Sequence, residues 1–168
     1  FNISIPSIKT NPLEGFSKPP IILKRVVFPH PDGPSNEKNS PLFPFGFGLS
    51  YTQFEYSEIT LNETILTNGN TIEASVTLTN VGNVKGKEVV QMYIRDHFAS
   101  VTRPVRELKG FELVALEPGE SKKIIFEITP ETLAFYSANK QWEAEPGAFS
   151  LFIGTNSATT RSVDFKLE

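Results

Sequence analysis

The chain has no cysteine, a single tryptophan, a single methionine and two histidines among its 168 residues. Without thiols there is no disulfide framework, no cysteine-held zinc and no thiol nucleophile, and such an absence fits cytoplasm and periplasm equally. Long apolar runs are missing too. The longest such stretch near the start, Ile21-Ile22-Leu23, meets Lys24 and Arg25 at once, well short of the ~20 residues that span a bilayer. Nor is there an excess of positive charge. Sixteen Lys and Arg face nineteen Asp and Glu, for a formal net charge of −3, and their scatter leaves no footprint for nucleic acid. The chain opens at Phe1 without a charged region followed by an apolar one, so it reads as an internal or incomplete piece, with any export signal outside it.

What is present is unevenly distributed. Seven of the thirteen prolines fall within residues 1–40 (Pro6, Pro12, Pro19, Pro20, Pro29, Pro31 and Pro34). Proline removes backbone donors and drives its predecessor out of the helical region, so residues 1–40 are expected to be an irregular extension. The expected domain is residues 41–168, long enough to bury a core without staples.

From Tyr51 onward the apolar period is close to two. Ile72, Ala74, Val76 and Leu78 alternate with Glu73, Ser75, Thr77 and Thr79, the pattern of a strand with one buried and one wet face. Val90, Met92 and Ile94 share a face in the next strand, and Ile124, Phe126 and Ile128 in another, with Ile125 the one apolar residue pointing outward. Phe149, Leu151 and Ile153, then Val163, Phe165 and Leu167, complete the set. Pro130 at a first helical position predicts one short helical turn. Arg95–Arg106 is polar and too long for a tight hairpin, so it reads as a projecting loop. About seven short strands predict an all-β, immunoglobulin-like sandwich.

Two Pro-Gly pairs, Pro118-Gly119 and Pro146-Gly147, sit between β-forming stretches. Proline presets one turn dihedral and glycine accepts the positive φ that the next position often needs, so each reads as a hairpin turn. On this reading Leu108–Leu116 pairs with Lys122–Ile128 across Pro118-Gly119.

No residue qualifies for catalysis, cofactor binding or metal ligation. Glu143 and Glu145 lie two apart in a predicted strand, with Cα atoms about 6.5–7 Å apart on one side, near the spacing of glycosidase carboxylates, but nothing around them predicts a cleft. They read as a solvated strand face. His30 lies between two prolines, and His97 follows Asp96 without a further ligand, a poor metal signal. Gly48-Leu49-Ser50-Tyr51 lacks the second glycine of a nucleophile elbow, and Gly46 and Gly48 precede a strand rather than the helix of a phosphate loop. Asn2-Ile3-Ser4 and Asn62-Glu63-Thr64 match the glycosylation triplet, which arises often by chance.

Several ordered motifs carry a resemblance. Pro44-Phe45-Gly46-Phe47-Gly48-Leu49-Ser50-Tyr51-Thr52, Ser100–Phe111, Leu108–Ser121 and Gln141–Gly154 together resemble the C-terminal fibronectin type III-like domain of family 3 glycoside hydrolases, most of all the bacterial periplasmic β-glucosidases. The likeness covers residues 41–168. It implies a noncatalytic structural domain whose partners are the catalytic domains of the parent glycosidase, and a periplasmic or secreted location. The family's nucleophilic aspartate lies on a (β/α)8 barrel and its acid/base in a following α/β domain; neither maps onto this chain.

The aromatic cluster Phe43, Phe45, Phe47, Tyr51, Phe54 and Tyr56 could fill a core, dock on a neighbouring domain or stack on an oligosaccharide. In the resembled family this segment joins the α/β domain to the sandwich, which favours docking. Phe43, Phe45, Phe47 and Tyr51, with Arg103 and Arg106 from the long loop, are therefore the expected interdomain residues. A carbohydrate-binding or adhesion module that uses exposed aromatics is the alternative.

Overall fold

The computed structural model describes residues 42–168. The readings of residues 1–40, among them His30 and the Asn2 triplet, lie outside the described residues. In chain order the elements are β1 (Phe54–Tyr56), β2 (Thr60–Leu61), β3 (Ile65–Leu66), β4 (Ile72–Asn80), β5 (Gly86–Asp96), β6 (Glu107–Leu116), β7 (Ser121–Ile128), α1 (Pro130–Leu133), β8 (Phe135–Tyr136), β9 (Trp142–Glu143), β10 (Gly147–Gly154) and β11 (Ser162–Leu167).

Two sheets form. In one, β4 is flanked by β7 on one side and by β1 and β2 on the other. The second has the order β3-β11-β10-β5-β6, and β8 pairs only with β9. Six strands of six to eleven residues carry the sandwich. The edge strand is broken into the three short pieces β1, β2 and β3, and it changes sheets: β1 and β2 run antiparallel to β4, whereas β3 lies parallel to β11. Asn62 makes the crossing, its Oδ1 accepting from the backbone of Glu63 and Glu73, each at 2.8 Å.

The core lies where the period-two pattern puts it. Ile72, Ala74, Val76 and Leu78 of β4 are buried and stand in register with Ile128, Phe126, Ile124 and Lys122 of β7. Facing them are Val90, Met92 and Ile94, Val114 and Leu116, Phe149, Leu151 and Ile153, and Phe165 and Leu167. Phe149 and Phe165 stack with centroids 5.4 Å apart. Each such side chain contributes about 1.5–3 kcal/mol relative to its exposed state. Ile125 points outward and is half exposed, and α1 spans Pro130–Leu133 with a Thr129/Thr132 capping box, both as expected.

Both Pro-Gly readings need correction. Gly119 does take a positive φ of 76°, but β6 pairs with β5 and β7 pairs with β4, so Pro118-Gly119 is a corner between sheets and not a hairpin. Its partner is Asn80, which is fully buried at the end of β4. The Asn80 carbonyl accepts from Gly119 N at 2.8 Å, its Nδ2 donates to Val84 O and Leu116 O, and its Oδ1 accepts from Thr52 Oγ1 and Gly82 N. Pro146-Gly147 likewise leads from the small β8–β9 hairpin into β10 at the centre of the second sheet, and Gly147 keeps an ordinary φ. Turn chemistry reverses a chain locally, but which strand it then pairs with depends on where the apolar faces are buried. The long loop is also shorter than expected, because Arg95 and Asp96 belong to β5.

Candidate functional site

The alternation of β5 places Gln91 and Tyr93 on the face away from the core, yet both are buried, at 5% and 1% exposed. Segment 42–52 covers them. Gln91 Nε2 donates to Gly46 O at 3.0 Å and to Thr155 O at 2.6 Å, and the Tyr93 hydroxyl donates to Gln91 Oε1 and lies 3.4 Å from Phe45 O. Ser157 N donates to that same Phe45 carbonyl at 2.9 Å. Gly46 has φ +78°, and a Cβ there would fall 2.0 Å from Gln91 Oε1, so only glycine fits without displacing the contact. Burial raises the Tyr93 pKa, keeping the hydroxyl a donor.

This latch presents the expected aromatic residues in different ways. Phe43 and Phe47 stack on each other with centroids 4.6 Å apart, each about half exposed. Phe45 and Tyr51 project into solvent. Phe54 and Tyr56 instead pack from β1 against the core. Phe45 also joins Val105, Leu108, Tyr93 and Ala158 around a shallow, mostly apolar hollow beside Arg106.

The two expected arginines are held within the sandwich. Arg106 Nη1 donates to Ser157 O and Thr159 O, each at 2.7 Å, and its guanidinium lies 3.7 Å from the Phe152 ring centroid. Burial, and secondarily Arg95, lowers its pKa from the usual guanidinium value. Arg103 lies 4.0 Å from the Phe135 centroid and pairs with Glu107, and its Nη1 is buried without a hydrogen-bond partner. Burial would raise the Glu107 pKa, but Lys109 and Arg103 outweigh it and hold this carboxyl below the usual range. These arginines set the long loop against the hollow and against the β8–β9 hairpin.

A polar cluster outside those expectations joins His97, Ser150 and Asp164. Ser150 Oγ donates to Asp164 Oδ1 at 2.6 Å and lies 2.8 Å from His97 Nε2. Having given its only proton to the carboxylate, the hydroxyl accepts from His97 Nε2–H. A serine nucleophile needs the opposite arrangement, with the histidine accepting and the acid behind it, so the cluster is a cross-strand brace. Glu143 and Glu145 are not a pair either. Glu143 accepts from Ser137 Oγ and Asn139 Nδ2, bonds that lower its pKa, while Glu145 accepts from Ser100 N. Among the described residues no group of three or more His, Cys, Asp and Glu is gathered as a metal ion would require, and no helix is long and apolar enough to cross a membrane.

Sequence reasoning missed Gln91, Tyr93, Ser157 and the carbonyls of Phe45 and Gly46. The one available signal was the Gln91-Met92-Tyr93 break in polarity within an otherwise apolar strand.

Comparisons with known proteins agree with this architecture. The fibronectin type III-like domain family matches residues 88–157. A putative β-xylosidase of Formosa agariphila is 50% identical over 131 residues, 78% of this chain and 17% of that protein. The periplasmic β-glucosidase of Salmonella typhimurium is 46% identical over 132 residues, 79% of this chain and again 17% of the relative. Among solved structures, the β-glucosidase of Listeria innocua in complex with glucose superposes with a TM-score of 0.72 at 39% identity, covering 85% of this chain and 19% of that one. The chain thus spans under a fifth of the length of each of these relatives. With a two-sheet sandwich, a family match at its centre and close relatives among β-glucosidases and β-xylosidases, the chain carries a fibronectin type III-like domain of the family 3 glycoside hydrolases.

Proposed function

We propose that residues 41–168 serve as the noncatalytic C-terminal structural domain of a β-glucosidase-type glycoside hydrolase, acting in carbohydrate metabolism by steadying catalytic domains that lie outside this chain. The observation that carries this reading is the latch. Segment 42–52 is fastened to the outer face of a rigid sheet by buried Gln91 and Tyr93, which holds Phe43, Phe45, Phe47 and Tyr51 in place as a docking edge. Arg103 and Arg106 contribute by fixing the loop that flanks Phe45. Catalytic carboxylates must be held to about half an ångström, and a stiff neighbouring domain limits their drift. The periplasmic relative supports a location outside the cytoplasm, in periplasm or secreted. Residues 1–40 are a separate extension in this reading, and a chain starting at Pro41 is expected to keep the melting temperature of the full chain.

Purified alone, the chain is expected to leave aryl β-glucosides unhydrolysed. Turnover that survived removal of contaminating glycosidase would overturn the proposal. So would a β-glucosidase carrying this domain whose thermal inactivation were unmoved by Phe45→Ser together with Tyr51→Ser. A second reading, oligosaccharide binding by exposed aromatic residues, is favoured by one observation: Tyr136 and Trp142 stand exposed and in contact on β8–β9.

A further inference from the structure

We infer that Asn68-Gly69 is a self-modifying site, at which the folded chain converts Asn68 to aspartate and isoaspartate without an enzyme, independently of any steadying role. The two residues are the exposed centre of the turn that carries the chain from β3 in one sheet to β4 in the other. Asn70 N closes that turn by donating to Thr67 O at 3.4 Å. The reaction needs three things: a side-chain amide able to swing back on the main chain, a following backbone nitrogen able to attack it, and no side chain screening that nitrogen.

This turn meets all three. Asn68 makes no side-chain hydrogen bond among the described residues, because Asn70 does the holding. Its Oδ1 accepts from Thr67 N at 2.7 Å, and its Nδ2 donates to Glu63 Oε2 at 2.7 Å and to Ile65 O at 3.0 Å. Gly69 N reaches only Thr67 Oγ1, at 3.4 Å, a long and weak contact. The fold does not require a glycine there, since its φ is not positive and an added Cβ would meet nothing within 4 Å. Glycine therefore bares the nitrogen without serving the turn. The other described asparagines each lack a condition. Asn62, Asn80 and Asn156 are tied through Oδ1 to backbone N–H groups, and Asn139 through Nδ2 to Glu143. Asn83 is untied, but the β-branched Val84 that follows it screens the nitrogen.

The chemistry balances with water alone. Gly69 N gives its proton to a solvent base and bonds to Asn68 Cγ, while the Cγ–Nδ2 bond breaks and Nδ2 takes up a proton to leave as ammonia. Both reacting atoms belong to one turn, so the ring closure is intramolecular. Water then opens the five-membered imide. Opening at Cγ leaves aspartate, and opening at the main-chain carbonyl of Asn68 leaves isoaspartate, whose backbone runs through Cγ. An amide and water have become a carboxylate and ammonium, with nothing oxidised or reduced. The product adds one negative charge to a formal net charge of −3. Because Asn70 clamps the turn, the modified chain stays folded.

The test is to age the full chain in mildly alkaline buffer made with oxygen-18 water and to follow each asparagine by peptide mapping with fragmentation. Asn68 is expected to react at least about tenfold faster than any other described asparagine, to give both aspartate and isoaspartate, and to carry the oxygen label in the new carboxylate. Gly69→Ala is expected to slow the reaction at least about tenfold while keeping the parental melting temperature, since its methyl group meets no neighbour. The aged chain should also melt with the parent within error. An Asn68 that stays intact while another described asparagine reacts overturns the inference. So does a product that is aspartate alone, which would mean direct hydrolysis without the ring, or a Gly69→Ala chain that reacts at the parental rate. A modified fraction that is unfolded would show that the reaction follows unfolding, and would overturn it equally.

Discussion

The two outer faces of this sandwich were built by opposite rules. On the β4–β7 sheet, Glu73, Ser75, Thr77, Lys123 and Glu127 alternate with core residues and meet water, with Ile125 the lone apolar exception. On the β5–β10 sheet, Gln91, Tyr93, Ser150 and Phe152 also point away from the core, yet all four are buried. Phe111 and Leu113 at its β6 edge are exposed. One face behaves as a surface. The other is an interior that segment 42–52, Arg106 and the 155–159 turn complete. A sheet face that buries polar side chains must satisfy each of them, so it also commits the chain segments that supply the partners.

The largest effect should come from removing the centre of the covered face. Tyr93→Ala deletes a fully buried ring and the hydroxyl that holds Gln91, and is expected to cost about 3–5 kcal/mol by chemical denaturation. Thr77→Ala on the wet face should change stability by less than about 0.5 kcal/mol. Equal losses would show that the two faces are alike. Next in size, Gly46→Ala forces a side chain into the Gln91 contact at a positive φ and is expected to cost about 1–3 kcal/mol. Limited proteolysis should then cut within 42–52 before the sandwich unfolds.

Acid should separate the faces further. The Glu107 carboxyl, held low by Lys109 and Arg103 against the effect of burial, lies below its unfolded value. Its contribution is therefore complete above the ordinary carboxylate range and is lost as pH falls through the depressed folded value. Glu88 runs the other way, because burial raises it despite the Tyr56 hydroxyl at 3.0 Å, so its protonation on acidification favours the fold. Stability measured from pH 7 to pH 3 should fall less steeply in Glu107→Gln and more steeply in Glu88→Gln, each by no more than about 1 kcal/mol. Reversed slopes would contradict the assignment. Smallest of all, Ile125→Thr should leave stability within about 0.5 kcal/mol of the parent.

Much of the sandwich was legible from alternation alone. The inward sets of β4, β5, β7, β10 and β11 were all named correctly, because a period of two describes one wet and one dry face and needs no knowledge of neighbours. The helical turn at Pro130 was legible for a similar reason, since proline at a first helical position is a local preference. Pairing was not legible. Pro118-Gly119 reverses the chain in the way its residues require, yet it joins two sheets, and only the burial of Asn80 beneath it explains the corner. The docking candidates divide similarly. Sequence singled out the Phe43–Tyr56 aromatic residues, but it did not separate Phe54 and Tyr56, which enter the core, from Phe45 and Tyr51, which stay outside. Arg103 and Arg106 were visible as charges in a loop, whereas their stacking on Phe135 and Phe152 depends on strands 32 and 46 residues away.

By itself, then, the order of residues determined which side chains turn inward, where the chain must bend, and which family the motifs resemble, since all three follow from preferences acting over a few bonds. Tertiary structure alone decided that Gln91 and Tyr93 would be tied to carbonyls 45 and 48 residues upstream, that His97, Ser150 and Asp164 would meet as a brace, and that Trp142 would stand clear. Those outcomes depend on closing loops dozens of residues long. A contact of that kind is stable only once the sheets have assembled and brought its partners together.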